Sequence, residues 1–259
     1  MQTNFFNHRI WWMAALVTCL QGCDPKSSST GGPDGGVVPT SQMTISLKVE
    51  SRDSASSVVR ANLNDGRAAG SSYRLDGGDF FRACVNTVCR NMADNDSLST
   101  PDYIARFDYQ PGVDYVVSFN RQQDRNAPDS RVVLPPDFTI VTPANHQQVT
   151  DGEILAVSWS PTGAPARVWL RYEANCTLLS GSAGSSGDLS TDTDANGREF
   201  VSINGIVSAV RSTAASTITR CSIDVIVSHE RQGRIDSAFH GGTAVGIVSR
   251  TVNLDYIPR

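Results

Sequence analysis

Cysteine, histidine and aspartate are the residues of this chain whose types and spacing could do chemistry. Cys84-Val85-Asn86-Thr87-Val88-Cys89 separates two thiols by four residues. That spacing is wrong for a redox Cys-x-x-Cys pair, and no His or Cys cluster lies beside it to complete a zinc site. It suits a hairpin with a two-residue Asn-Thr turn. Val85 and Val88 then close the turn, and Cys84 and Cys89 form the next, non-hydrogen-bonded pair, with Cα atoms about 4.5 Å apart and within disulfide reach. Asp192-Thr193-Asp194-Ala195-Asn196-Gly197 has oxygen ligands at positions 1, 3 and 5 of a calcium loop and Gly at position 6. Ile203 stands where the bidentate acid would be, and Glu199–Ile203 is strand-like, so an EF-hand is excluded. Asn196-Gly197 reads instead as a turn before a strand. A looser calcium loop through Asp192, Asp194, Asn196 and Asp188 is the alternative.

Past the first 22 residues the histidines are His146, His229 and His240. His240-Gly241-Gly242 has the form of an oxyanion loop, but no Gly-x-Ser-x-Gly elbow supplies a nucleophile. His229-Glu230 is expected at the solvated end of a strand. Arg231, Arg234 and Asp236 fall in a polar turn between the last two expected strands. Such turns at the end of a sandwich often carry recognition, and a plain solvated hairpin loop is the alternative. Gly-x-Gly-x-x-Gly and phosphate loops are absent, so no cofactor is expected.

The N-terminus is an address. His8 and Arg9 precede an apolar run from Ile10 to Leu20, which as a helix would span about 16 Å against a hydrocarbon core of about 30 Å. It is therefore the apolar region of a signal peptide rather than a membrane span. Leu20-Gln21-Gly22-Cys23 resembles the lipobox of bacterial lipoproteins. The resemblance implies a thioether-linked lipid on Cys23, cleavage after Gly22, and an anchor of several acyl chains at about 0.8 kcal/mol per buried CH2. It places the protein in the cell envelope, on the periplasmic face of the inner or outer membrane. By the same resemblance Asp24 is an inner-membrane retention signal; otherwise it simply opens the linker.

These residues must be held by elements that the composition already constrains. The chain has 259 residues, a net charge of -4, and Arg in place of Lys at 20 of its 22 basic positions. An apolar share of about 45 % is ordinary for a folded protein, and the acidic balance argues against a nucleic-acid partner. Residues 1–22 are read as signal peptide and 23–42 as lipidated Cys and flexible linker, because the linker has too little apolar surface to offset ordering entropy. From Met43 onward short alternating segments are separated by Gly, Asp, Asn and Pro, which predicts an all-β chain. Pro135-Pro136 divides it into a first β-sandwich over 43–135 and a second over 136–259. The Gly-Ser run at 180–187 is expected as a mobile loop, and Ile206–Ser212 as one helical turn.

In the second half Leu155, Val157 and Trp159 share one face. In the next strand Val168, Leu170 and Tyr172 lie opposite Arg167, Arg171 and Glu173. This Trp-bearing strand after Asp151-Gly152 resembles immunoglobulin-like and fibronectin III-like domains. The resemblance implies that Cys176, after the strand ending at Tyr172, and Cys221, opening the strand Ser222–Ser228, are antiparallel neighbours that form a second disulfide. Parity agrees, since Cys176 matches Leu170 and Tyr172 while Cys221 matches Ile223 and Val225. Leu75–Asp79, Val132–Pro135 and Arg231–Phe239 also resemble uncharacterised proteobacterial envelope lipoproteins. The expectation is a lipid-anchored, non-enzymatic binding or assembly protein with a protein or glycan partner. The alternative is an envelope hydrolase or glycan-active accessory with an active site built from loops around His229, Asp236 and His240.

Overall fold

The computed structural model describes residues 37–65, 72–95, 101–162, 167–193, 196–213 and 217–258. The first half contributes β1 (Thr44–Ser51), β2 (Ser56–Asn64), β3 (Phe80–Val85), β4 (Val88–Asn91), β5 (Ala93–Asp94), β6 (Tyr103–Asp108), β7 (Asp114–Asn120) and β8 (Ala127–Val133). Strict alternation turns Ile45, Leu47 and Val49 of β1, and Val59, Ala61 and Leu63 of β2, into a core with Phe81, Tyr115 and Phe119. Phe81 stacks on Phe119 at 4.8 Å and meets Tyr103 across the sandwich at 5.5 Å. The sheet order β1-β2-β6-β5 packed on β4-β3-β7-β8 is the connectivity of an immunoglobulin-type sandwich.

The second half adds β9 (Thr139–Thr142), β10 (Gln147–Val149), β11 (Ile154–Ser160), β12 (Arg167–Leu178), β13 (Gly181–Thr193), β14 (Arg198–Ser202), α1 (Ile203–Thr213), β15 (Ile218–Gln232) and β16 (Gly241–Tyr256). A three-stranded sheet, β14-β11-β9, faces β13-β12-β15-β16. Between them lie Leu155, Val157, Trp159, Val168, Leu170, Ile223, Val225 and Val227, so the expected face assignments hold. Among the described residues the chain is all-β apart from α1 and one short 3-10 turn at Thr40–Gln42. Among the described residues no helix is long and apolar enough to cross a membrane.

Three features depart from the sequence reading. The Gly-Ser run is not a free loop: it lies within the 13-residue strand β13, paired with β12 from Leu178↔Gly181 to Val168↔Thr193. Gly and Ser have low strand propensity, but a long neighbouring strand supplies the ladder that propensity does not. The single helical turn is the 11-residue α1, whose Ile203, Ile206, Val207 and Val210 are fully buried at helical spacing. Finally, β16 crosses the Pro135-Pro136 divide. Its first half pairs in parallel with β1, from Thr44↔Gly241 to Ser51↔Val248, while β15 runs antiparallel along its other edge. One sheet, β13-β12-β15-β16-β1-β2-β6-β5, therefore runs through both halves.

Two glycines make this crossing sterically feasible. A Cβ on Gly246 would stand 2.6 Å from the Val133 carbonyl oxygen, and one on Gly233 would stand 2.4 Å from that of Arg131. Only a residue without Cβ lets β16 and the β15–β16 turn lie this close to β8.

Candidate functional site

Both expected disulfides are present. Cys84 and Cys89 are bonded, with Cα atoms 4.1 Å apart, and stand opposite each other next to the Val85↔Val88 pair. Asn86 in the turn has a φ of 52°, in the left-handed region that Asn tolerates. Cys176 and Cys221 are bonded, with Cα atoms 4.0 Å apart, and are direct register partners on β12 and β15. Cys23, Asp194 and the side chain of Asp192 lie outside the described residues. Asn196 accepts the Arg198 amide at 3.1 Å, as a turn residue does. Among the described residues no group of three or more His, Cys, Asp or Glu is placed to hold a metal.

The turn expected at Arg231, Arg234 and Asp236 does not project for recognition. It folds onto the first half. Arg234 exchanges two backbone hydrogen bonds with Arg131, at 2.7 and 2.8 Å, and its guanidinium reaches Asp129. Asp236 is buried: its carboxylate accepts from the Asp129 amide at 2.7 Å and the Ala238 amide at 2.8 Å, and its own amide donates to Ser130 Oγ. Phe239 stacks on Phe119 of the first core at 5.9 Å, and the His240 amide donates to the Met43 carbonyl. Hydrogen bonds from Arg131 and Arg234 hold the Asp129 carboxyl below its usual range. The physical reason is local: Ala238 and Phe239 are apolar, and burying them against an adjacent core is more favourable than exposing them on a turn. Arg231 is not in the turn: it is half-buried within β15, opposite Gly246 of β16.

His229 is not at a solvated edge either, because β15 continues past it to Gln232. Its ring is 1 % exposed, stacks on Phe138 at 3.9 Å and meets Trp159 edge-on at 6.4 Å. Neither ring nitrogen has a hydrogen-bond partner. Burial, reinforced by the nearby Arg250 charge, pushes its pKa down to about 4. His229, Asp236 and His240 are thus not assembled into one site. His229 faces the second core, Asp236 is engaged with the first half, and His240 is exposed.

What the fold does assemble is a groove on the outer face of the shared sheet. Its cavity of about 260 Å³ is lined by Lys48, Glu50 and Arg52 of β1, Trp169, Arg171 and Glu173 of β12, Asp224, Ile226 and Ser228 of β15, and Ile247, Ser249 and Thr251 of β16. Register sets the rows: Trp169 lies opposite Ser228 and Ser228 opposite Ser249, while Arg171, Ile226 and Thr251 form the next row. At about 4.8 Å per strand, the four strands from β12 to β1 give a floor about 14 Å across. Ser228 Oγ and Ser249 Oγ share a hydrogen bond of 2.8 Å on that floor. Trp169 is half-buried, and its enclosed Nε1 has no partner.

The charges of the groove are arranged in pairs. Glu50 meets Lys48 at 2.5 Å and Arg52 at 3.1 Å, and Arg171 meets Glu173 at 3.2 Å. Asp224 accepts from Asn253 Nδ2 at 2.7 Å. Burial pushes the Glu50 carboxyl up, but the Lys48 hydrogen bond and the charges of Lys48, Arg52 and Arg60 outweigh it and hold the pKa below the ordinary value. Glu50 is therefore a standing hydrogen-bond acceptor at neutral pH rather than a proton donor. Neither His nor Cys lines the groove. The groove presents an aromatic wall, serine and threonine side chains on its floor, and ion pairs. The sequence signal for it was an outward Trp169 among the polar residues of β12, which alternation alone leaves unremarked.

No family model and no characterised protein matches the chain in sequence. Among solved structures it is similar to the crystal structure of the chicken CNTN1 FN1–FN3 domains, at 11 % identity and a TM-score of 0.19. That match covers 79 % of this chain and 64 % of the other, so the chain spans less than two thirds of the structure it is compared with.

Proposed function

We propose that the protein is a lipid-anchored component of the bacterial cell envelope with a non-enzymatic binding role, and that the groove on the shared sheet is its binding site. The observation that carries the reading is the groove's origin. Lys48, Glu50 and Arg52 come from the first half and the other lining residues from the second, joined edge to edge by the β1–β16 pairing. Ligand sites concentrate where structural units meet, and a site of this kind is fixed in shape only if the units do not move apart. The turn carrying Asp236 and Phe239 provides that fixing. Leu20-Gln21-Gly22-Cys23 supports the anchor. The linker expected to run to residue 42 stops short of that, because Val38 and Thr40 are buried against the first half and the Val38 carbonyl accepts from Arg121. Residues 24–36 would then act as the tether that lets the folded part reach a partner.

The test is retention on washed native envelope fragments of the chain carrying Cys23→Ser, which has no lipid to hold it there. Trp169→Ala and Arg52→Ala should abolish retention, while Phe200→Ala, an exposed apolar residue on the opposite three-stranded sheet, should not. Retention unchanged by both groove substitutions would refute the reading of the groove. The anchor is tested separately by labelled palmitate, whose incorporation should disappear in Cys23→Ser.

A further inference from the structure

We infer that the groove on the shared sheet takes a neutral oligosaccharide, an inference that rests on the groove being the binding site. The half-buried Trp169 and Ile226 give it an apolar surface against which the C–H face of a sugar ring can pack. Around that surface stand three cations, Lys48, Arg52 and Arg171, and three carboxylates, Glu50, Glu173 and Asp224. A polyanion would meet the carboxylates and a polycation the guanidinium groups. A sugar hydroxyl is both donor and acceptor, so each can bridge an N–H of one member of an ion pair and an oxygen of the other. Three cations balance three carboxylates, Lys48 and Arg52 meeting Glu50, Arg171 meeting Glu173 and Asp224 accepting from Asn253, so a neutral ligand leaves that balance unchanged.

The floor supplies the Ser249 and Thr251 hydroxyls, Ser249 being held from beneath by the buried Ser228. An extended peptide is disfavoured by the same geometry. Peptides bind sheets by adding to an edge, and here β12, β15, β16 and β1 are all flanked on both sides, so their ladders are used.

The experiment uses the full-length chain in a polyoxyethylene detergent, chosen because it carries no sugar head group. Chitotetraose, cellotetraose and maltotetraose are titrated separately and followed by saturation-transfer NMR, with a galacturonate tetramer and an alanine-rich extended peptide as the anionic and peptide arms. Saturable binding of at least one neutral tetrasaccharide below about 10 mM, weakened about tenfold or more by Trp169→Ala, is expected. Arg52→Ala, at an exposed position, and Arg171→Ala, at a half-buried one, should weaken it too and serve if the Trp variant does not fold. The inference is overturned if no neutral tetrasaccharide binds, if only the anionic or peptide arm binds, or if the groove variants bind as well as the parent chain. Envelope retention that depends on Trp169, together with no tetrasaccharide binding, would leave the groove as the site and remove the glycan. Retention that ignores Trp169 would remove both.

Discussion

Acid should destabilise this protein through His229, well before its carboxylates titrate. The ring is enclosed by Phe138 and Trp159, close to the Arg250 charge, and neither nitrogen is hydrogen-bonded. Its pKa is 6.5 in the unfolded chain and about 4 in the folded one. Between those values the unfolded state binds a proton that the folded state refuses, so stability falls as pH falls. The contribution is fully present above pH 6.5 and is lost down to about pH 4. At 1.36 kcal/mol per pH unit the whole window is worth about 3 kcal/mol, of which about 2 kcal/mol goes between pH 7 and pH 5.

Urea unfolding of the parent chain and of His229→Phe at both pH values measures this. The parent should lose about 2 kcal/mol across the interval and the variant close to none. The variant should also be more stable at pH 7, by about 1–2 kcal/mol, because a hydrocarbon ring replaces two unsatisfied nitrogens. Equal losses in both chains would refute the reasoning, since the pH dependence would then come from groups other than His229.

Other substitutions test the joints of the fold. Arg121, with its side chain 1 % exposed, is held by Asp79 at 2.8 Å, by Asp124 and by the Val38 carbonyl. Arg121→Ala strands the Asp79 carboxylate at 6 % exposure and should cost about 3–5 kcal/mol in denaturant unfolding. Gly246→Val puts side-chain atoms against the Val133 carbonyl and should lower stability by about 1–3 kcal/mol or more, with the first half losing protection at β1. The Cys176–Cys221 bridge spans 45 residues, so its removal by paired Ala substitution should cost about 4 kcal/mol. Unreduced peptide maps should contain only 84–89 and 176–221 links; crossed links would contradict the register.

Much of the core was legible in the chain because period-two alternation reports which face is buried. Leu155, Val157 and Trp159, and Val168, Leu170 and Tyr172, lie where their spacing puts them. The disulfides were legible for two reasons: a two-residue turn sets the register of Cys84 and Cys89, and the resemblance to immunoglobulin-like domains implies that Cys176 and Cys221 are antiparallel neighbours. Long-range pairing was not. Nothing local in Gly181–Thr193 marks a strand, since its order is imposed by β12. Nothing in Gly241–Val248 says that its partner is Thr44–Ser51, nearly the whole folded chain away. The groove depends on that pairing, so its members could be read singly as polar or aromatic strand residues but not as one site. Gly233 and Gly246 were the nearest local hints, glycines at a turn and within a strand, where close backbone approach is a standing possibility.

The central claim is that one binding site is built from both halves across the β1–β16 joint. Amide hydrogen exchange of the full-length chain, with and without washed native envelope fragments, tests it most directly. The account predicts protection gained together over Lys48–Arg52, Trp169–Glu173 and Ile247–Thr251. Protection confined to one half, or found instead on the three-stranded sheet around Ile154–Ser160, would contradict it.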